Sequence, residues 1–297
     1  MRSFRRAAGV LVSVGVVAFA LTGCGSDGST AESGKAAPSV PSEKSRPEVV
    51  IETADFSFVA PAQIPAGYVD LTMKNTGKEG HHVQLIKLDG MTKEAFTTAV
   101  SNFDTAALKN SIFVGGPNGA DPGASVTTTV KLEPGTYGIA CLIPGADGQP
   151  HAAHGMTGTV EVARTANSVN TAPKSKGTVE LGDFVFEPPT NFDGKGTFEI
   201  VNAGSQVHEA VIFGLNEGTT LEDAKKFLFA PPGTPPPAGP PPFSTVGGST
   251  GLSNKERNWM TLDLKPGNYV FLCFFPDPTK DNMPHALEGM VKEFTVS

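Results

Sequence analysis

A chain of 297 residues that holds only six histidines and three cysteines could scatter them, but this one does not. His81, Cys141, His151 and Met156 follow one another in the same order as His208, Cys273, His285 and Met290. Packing does not ask for such crowding, because β cores are filled by Val, Leu, Ile and Phe. Two imidazoles and a thiolate, with a thioether further off, suit a single copper ion. Soft sulfur and imidazole donors stabilise Cu(I) yet accept Cu(II), so one electron can be taken up and passed on. Zinc accepts the same nitrogen and thiolate donors, with methionine an unusual fourth ligand for it. The cysteines also admit two other readings: inert buried thiols, or a Cys141–Cys273 disulfide, which needs Cα atoms within about 7 Å. His82 and His154 are replaced by Glu209 and Glu288 in the second set. They read as exposed polar side chains, a second metal site being the alternative. Met283 reads as a gap filler, with sulfur donation the alternative.

The two sets belong to a longer internal repeat. Asp55-Phe56-Ser57-Phe58 matches Asp183-Phe184-Val185-Phe186; Asn75-Thr76-Gly77 matches Asn202-Ala203-Gly204, with His81 and His208 each six residues after the Asn. Leu132-Glu133-Pro134-Gly135-Thr136-Tyr137 matches Leu264-Lys265-Pro266-Gly267-Asn268-Tyr269, and Pro150-His151-Ala152 matches Pro284-His285-Ala286. The copies occupy 48–163 and 177–297, joined by a Thr-, Ala-, Asn- and Ser-rich linker over 164–176. Within each copy, short β-type runs alternate with Gly, Pro and Asn: 68–75, 81–88, 126–132 and 136–142, then 196–202, 208–215, 258–264 and 268–274. That spacing predicts an all-β antiparallel sandwich. One short helix per copy is predicted near Thr92–Val100 and Thr220–Phe229, with the threonines as caps. Tyr137, Ile139 and Cys141 share a strand face, as do Tyr269, Phe271 and Cys273, so each thiol points inward at one end of its strand. A Pro-rich stretch, 231–242, reads as extended polyproline.

Arg2, Arg5 and Arg6 precede an apolar run from Ala7 to Leu21, which is too short to span a bilayer and reads as an export signal over 1–23. It ends in Leu21-Thr22-Gly23-Cys24, which resembles a bacterial lipobox. The resemblance implies cleavage before Cys24, acyl chains (palmitate among them) on that residue, and anchorage to the outer face of the cell membrane. Residues 24–47, rich in Ser, Ala, Gly and Pro, read as a flexible tether. Loss of the signal removes three arginines and no acid, leaving 20 basic against 30 acidic residues. Nucleic acid is an unsuitable partner for that balance; redox partner proteins are the expected ones.

Asn-x-Gly before the first His, Pro-Gly-x-Tyr-x-x-x-Cys, and His-x-x-x-x-Met, all occurring twice, make both copies similar to cupredoxins, the blue-copper family. The resemblance covers nearly all of 48–162 and 177–297. It implies two tandem Greek-key sandwiches, one type 1 copper ion in each, and a role in one-electron transfer without catalysis. The ligands it implies are His81, Cys141, His151 and Met156 in the first copy and His208, Cys273, His285 and Met290 in the second. Two departures stand out. Nine residues separate Cys from His in the first copy and eleven in the second, where many single-domain cupredoxins have two to four; the type 1 domain of nitrite reductases is more similar there. The residue after the first His, often Asn in the family, is His82 or Glu209. Oxidase relatives add copper through His-x-His motifs or through histidines flanking the cysteine; here Cys141 and Cys273 have Ala140, Leu142, Leu272 and Phe274 as neighbours. The remaining alternatives are a metal-free adhesive or structural sandwich and copper sequestration without redox cycling.

Overall fold

A computed structural model of the chain describes residues 45–297, apart from 103, 105 and 231–238. The signal peptide, Cys24, the tether up to residue 44 and most of the Pro-rich stretch lie outside the described residues.

The first copy contributes β1 (Glu48–Ala54), β2 (Ser57–Val59), β3 (Gln63–Pro65), β4 (Gly67–Asn75), β5 (Gln84–Lys87), helix α1 (Lys93–Ser101), β6 (Ile112–Gly115), β7 (Ser125–Leu132), β8 (Gly135–Ala140) and β9 (Thr157–Ala163). The second contributes β10 (Thr178–Gly182), β11 (Val185–Glu187), β12 (Lys195–Asn202), β13 (His208–Leu215), helix α2 (Leu221–Leu228), β14 (Phe243–Leu252), β15 (Arg257–Asp263), β16 (Gly267–Leu272), β17 (Pro276–Asp277), β18 (Met283–Pro284) and β19 (Val291–Val296). The class is the all-β sandwich read from the sequence, with one short helix in each copy, but the sheets are mixed where an antiparallel arrangement was expected: β1 pairs parallel with β4, β10 with β12 and β3 with β9. Both helices start where the capping threonines stand: Thr92 accepts from Ala95 N–H at 3.2 Å, and Thr220 forms a reciprocal capping box with Asp223.

Inner faces follow the period of two. Along β4 every second residue from Gly67 to Asn75 is buried, and Val69, Leu71 and Met73 pack in one cluster with Leu85, Ile139 and Val160 of the opposite sheet. Val179, Leu181, Phe198, Ile200, Phe271 and Met290 build the matching core of the second copy. Tyr137 and Tyr269 end these cores with their hydroxyls donated to Glu133 O and Lys265 O, at 2.9 and 2.8 Å.

The copies share both sheets. One sheet runs β11-β10-β12-β15-β7-β4-β1-β2, and the other β19-β16-β13-β14-β6-β5-β8-β9-β3. Read from the two ends, each order names corresponding strands of the repeat, with β3 as an extra edge. The junctions are pairs of equivalents: β7 against β15, with Asn258 opposite Val130, and β6 against β14, with Leu252 opposite Val114. Gly116 and Gly248 sit at this crossing with φ of 146° and 134°. A Cβ on either would lie 2.1 Å from Val83 O or 1.9 Å from Ala210 O, so within each copy the backbones approach only because both residues are glycine.

Candidate metal centres

Each site is assembled from a strand end, a turn and a loop. Cys141 and Cys273 follow the last residues of β8 and β16, and the loop leaving each cysteine returns as a single turn of 3-10 helix, His151–His154 or His285–Glu288. Backbone bonds clasp that return: Ala152 N–H to Cys141 O at 2.9 Å, Ala286 N–H to Cys273 O at 2.8 Å, and Cys141 N–H to Met156 O at 3.2 Å. The long Cys-to-His interval is thereby spent in a closed hairpin whose ends meet. Met156 and Met290 come next, their N–H groups bonded to His151 O and His285 O, and both are fully buried. The first histidines enter from the other side. His208 opens β13, whereas His81 stands outside β5, on a lone bridge to Ala120.

His81, Cys141 and His151 meet, as do His208, Cys273 and His285, with the donor atoms of each group within 4.8 Å of one another. In the first group, His81 Nδ1 lies 3.2 Å from His151 Nδ1, and Cys141 Sγ lies 4.0 and 3.5 Å from them. A triangle of these sides has its centre about 2.1 Å from every corner, the length of a metal–nitrogen or metal–sulfur bond. In the second group the two Nδ1 atoms are 3.0 Å apart and Cys273 Sγ is 3.5 Å from His285 Nδ1. All six side chains are at 0% exposure, and both cysteines are free thiols, so the disulfide reading falls.

The outward nitrogens fix the tautomers. His81 Nε2 faces Asp55 Oδ1 at 3.4 Å and His208 Nε2 faces Asp183 Oδ1 at 2.9 Å; His151 Nε2 meets Glu79 Oε2 at 3.0 Å, and His285 Nε2 meets Gln206 Oε1 at 3.1 Å. These oxygens only accept, so each Nε2 carries the proton and each Nδ1 turns a lone pair inward. Two lone pairs then confront each other at 3.0–3.2 Å in a dry pocket. A single thiol proton satisfies at most one of them, so the arrangement suits a cation held between them. At three of these imidazoles burial favours the neutral form: it lowers His81 and His208, and brings His285 down to about 4 with help from the charge of His208. Burial likewise pushes the Cys141 thiol up to about 12, and burial together with the charge of Glu209 raises Cys273.

Sequence reasoning missed the Asp-Phe dipeptide as part of the site, although the repeat displays it twice. It forms the two-residue turn between β1 and β2 and between β10 and β11. Burial of Asp183 works to raise its pKa, but bonds from His208, Ser205 and Gln206 outweigh it and hold the carboxyl below its usual range. Asp55 is held low by the Lys78 and Glu79 N–H groups and by His81. The following phenylalanines adopt left-handed backbone, with φ of 62° and 64°, which a bulky residue tolerates only when its surroundings impose it. Phe56 lies edge-on to His151, centroids 5.3 Å apart, and Phe184 edge-on to His285 at 5.1 Å. One dipeptide therefore orients the first histidine and covers the second. The repeated Asn75 and Asn202, read as turn formers, hold the intervening loop by donating to Glu79 O and Gln206 O at 2.7 Å.

The expectation of an exposed side chain at His82 is corrected, and Glu209, its replacement in the second copy, is placed alike. Both are 5% exposed, because each reaches under its neighbouring strand to the peptide after the cysteine. His82 Nε2 accepts from Leu142 N–H at 2.7 Å, and Glu209 Oε1 accepts from Phe274 N–H at 3.0 Å. Burial lowers His82 to about 3 and raises Glu209 to about 7. His154 does face solvent, paired with Asp147 at 3.1 Å. Glu288 is instead largely buried and paired with Lys280. Met283 is 43% exposed and fills no gap.

No protein-family model matches the sequence, and no curated protein matches it. Among solved structures, the chain is similar to a dithionite-reduced auracyanin from the photosynthetic bacterium Roseiflexus castenholzii, with 20% identity over 39% of this chain and 96% of that one and a TM-score of 0.28. It is also similar to auracyanin A, a "blue" copper protein from Chloroflexus aurantiacus, at 20% identity over 39% and 99% of the two chains, TM-score 0.28. A multicopper oxidase is similar over 87% of this chain and 91% of its own, at 15% identity and a TM-score of 0.27.

Proposed function

We propose that this chain is an exported, lipid-anchored copper protein that carries single electrons at two type 1 sites, passing them between partner proteins at the outer face of a bacterial membrane. One observation carries the copper reading: twice over, two inward Nδ1 atoms and a thiol converge in a buried pocket around a common point. Export and anchorage rest on the sequence ending at Cys24. Copper bound there would supply a one-electron couple, with the thiolate as its most covalent contact.

The chain's own residues do the rest. Asp55 and Asp183 hold the first imidazoles with Nδ1 free, and Glu79 and Gln206 do so for the second, so ligand geometry exists before any ion arrives. Met156 and Met290 are fully buried, Met156 O accepting from Cys141 N–H and Met290 sharing a core cluster with Cys273. Phe56 and Phe184 cover the imidazoles with apolar edges. A pocket this fixed changes little between two oxidation states, which is what fast electron exchange requires.

Copper titration of the delipidated chain tests the reading. Two ions should bind, with intense thiolate-to-copper absorption. Cys141→Ser and Cys273→Ser should each lower the stoichiometry to one and remove a different part of that absorption. Tight binding without the band points to sequestration, and no binding points to the metal-free sandwich.

A further inference from the structure

Two redox sites in one chain act alone or as a pair according to what lies between them. Here a line of three buried polar side chains, hydrogen-bonded at both ends, runs from the peptide after one cysteine to the peptide after the other. Leu142 N–H donates to His82 Nε2 at 2.7 Å. The other side of the imidazole stands next to the Asn118 side chain, with His82, Asn118 and Glu209 lining one cavity. Asn118 Nδ2 donates to Glu209 Oε2 at 2.9 Å, and Glu209 Oε1 accepts from Phe274 N–H at 3.0 Å. Asn118 is further fixed by Ser249 O at 3.2 Å. His82, Asn118 and Glu209 are 5%, 3% and 5% exposed, so water does not compete for these bonds.

The repeat does not impose this line. Asn75 donates to Ala120 O and Asn202 to Leu252 O, which makes those carbonyls equivalent and Thr250 the counterpart of Asn118. The Thr250 hydroxyl turns instead to Val83 O and Gly116 O. Nor are the ends alike, one being His82 and the other Glu209. A carboxamide has one accepting and one donating end, so it can join an imidazole N–H to a carboxylate, whereas two carboxylates would leave its oxygen facing an acceptor. The departure from symmetry at 82/209 and the asparagine at 118 are thus mutually fitted.

We propose that the His82–Asn118–Glu209 bridge is the route by which one electron passes between the two sites. The proposal rests on the copper reading above. The electron leaves the site that is reduced and enters the site that is oxidised; no bond is broken and no proton changes residue. The route begins and ends at the cysteines, whose sulfur shares most density with a bound metal, and it replaces gaps between packed atoms by covalent segments and short hydrogen bonds.

The test uses the full chain loaded with copper and reduced by less than one electron per molecule in a radiolysis pulse. Redistribution is followed between the bands assigned from the two Cys→Ser variants. Asn118→Leu should keep both bands and both ions while slowing redistribution by roughly an order of magnitude, the scale at which removing one member of a contiguous network acts. Asn118→Thr, which copies the residue at the counterpart position, should do the same and covers the case of a destabilised Leu variant. The pair Asn118→Asp with Glu209→Gln exchanges donor and acceptor across the link and should restore the rate. In the metal-free protein, Asn118→Leu should also shift the amide resonances of both Leu142 and Phe274. Wild-type redistribution in Asn118→Leu with both bands intact, or no redistribution in the wild type, overturns the route. Unmoved amide resonances overturn the bridge itself. Absence of any charge-transfer band in the wild type overturns instead the copper reading, and the amide measurement still reports on the bridge.

Discussion

A histidine that gives its Nε2 proton to a fixed oxygen has also decided which nitrogen faces the pocket, and the chain makes this decision four times with three different residue types. The bond from His208 to Asp183 is the shorter of the two aspartate contacts, 2.9 against 3.4 Å for His81 and Asp55. Asp183→Asn, which keeps an acceptor but removes the charge, should weaken copper binding at the second site by about 10–100-fold. Asp55→Asn should cost the first site less, and competition with a chelator of known affinity measures both. Protonation gives a second expectation. With the Cys141 thiol at about 12 and burial favouring the neutral form of His81, occupation of a site displaces one thiol proton near neutrality. Affinity should then rise about tenfold for each pH unit. Below about 4, where His285 takes up a proton, the slope at the second site should steepen. Direct titration at several pH values, with counted proton release, checks both slopes. The ligands themselves were legible in the sequence because scarce residue types recurred in one order. Asp55 and Glu79 were not, since their contacts with His81 and His151 depend on a turn and a loop whose closure no spacing reveals.

Among the elements, those with strong local chemistry were the most legible. The capping threonines placed both helices within a residue, and β4, β7, β12, β13 and β15 fall where alternation put them. Strand β14 carries Gly247, Gly248 and Gly251, which weaken any local strand signal; they are there because other groups come too close for a side chain. A Cβ on Gly251 would lie 2.4 Å from the Phe275 ring. The run 81–88 was read as one strand, yet His81 stays outside β5, on its bridge to Ala120, where the loop from Asn75 delivers it to the pocket. The Asp-Phe turns were visible as a repeat but silent as chemistry, because a left-handed phenylalanine is stable only with the imidazole it leans on.

For the whole molecule, sheet pairing across the repeat is the property least available to sequence reasoning, since it joins residues some 130 positions apart. It has a measurable result. Trp259, the single tryptophan, lies on β15 with its ring 5.3 Å from Tyr68 of the other copy. Its fluorescence therefore reports on the junction, while far-ultraviolet circular dichroism reports on all strands. In urea the two signals from the metal-free protein should fall together in one transition, because opening the junction leaves β6, β7, β14 and β15 with unpaired edges. Separate transitions would mean that the copies unfold one at a time. The mirrored strand order has a historical side as well. Equivalent strands paired across a two-fold axis are what a dimer of single copies would use. In such a dimer every substitution strikes both pockets at once, and a position such as 82/209 could hold only one residue type. Joining the copies into one gene lifts that restriction, and the chain has used the freedom: glutamate at 79 against glutamine at 206, histidine at 82 against glutamate at 209. A repeat carried within one chain thus allows two like centres to become unequal while they remain parts of one body.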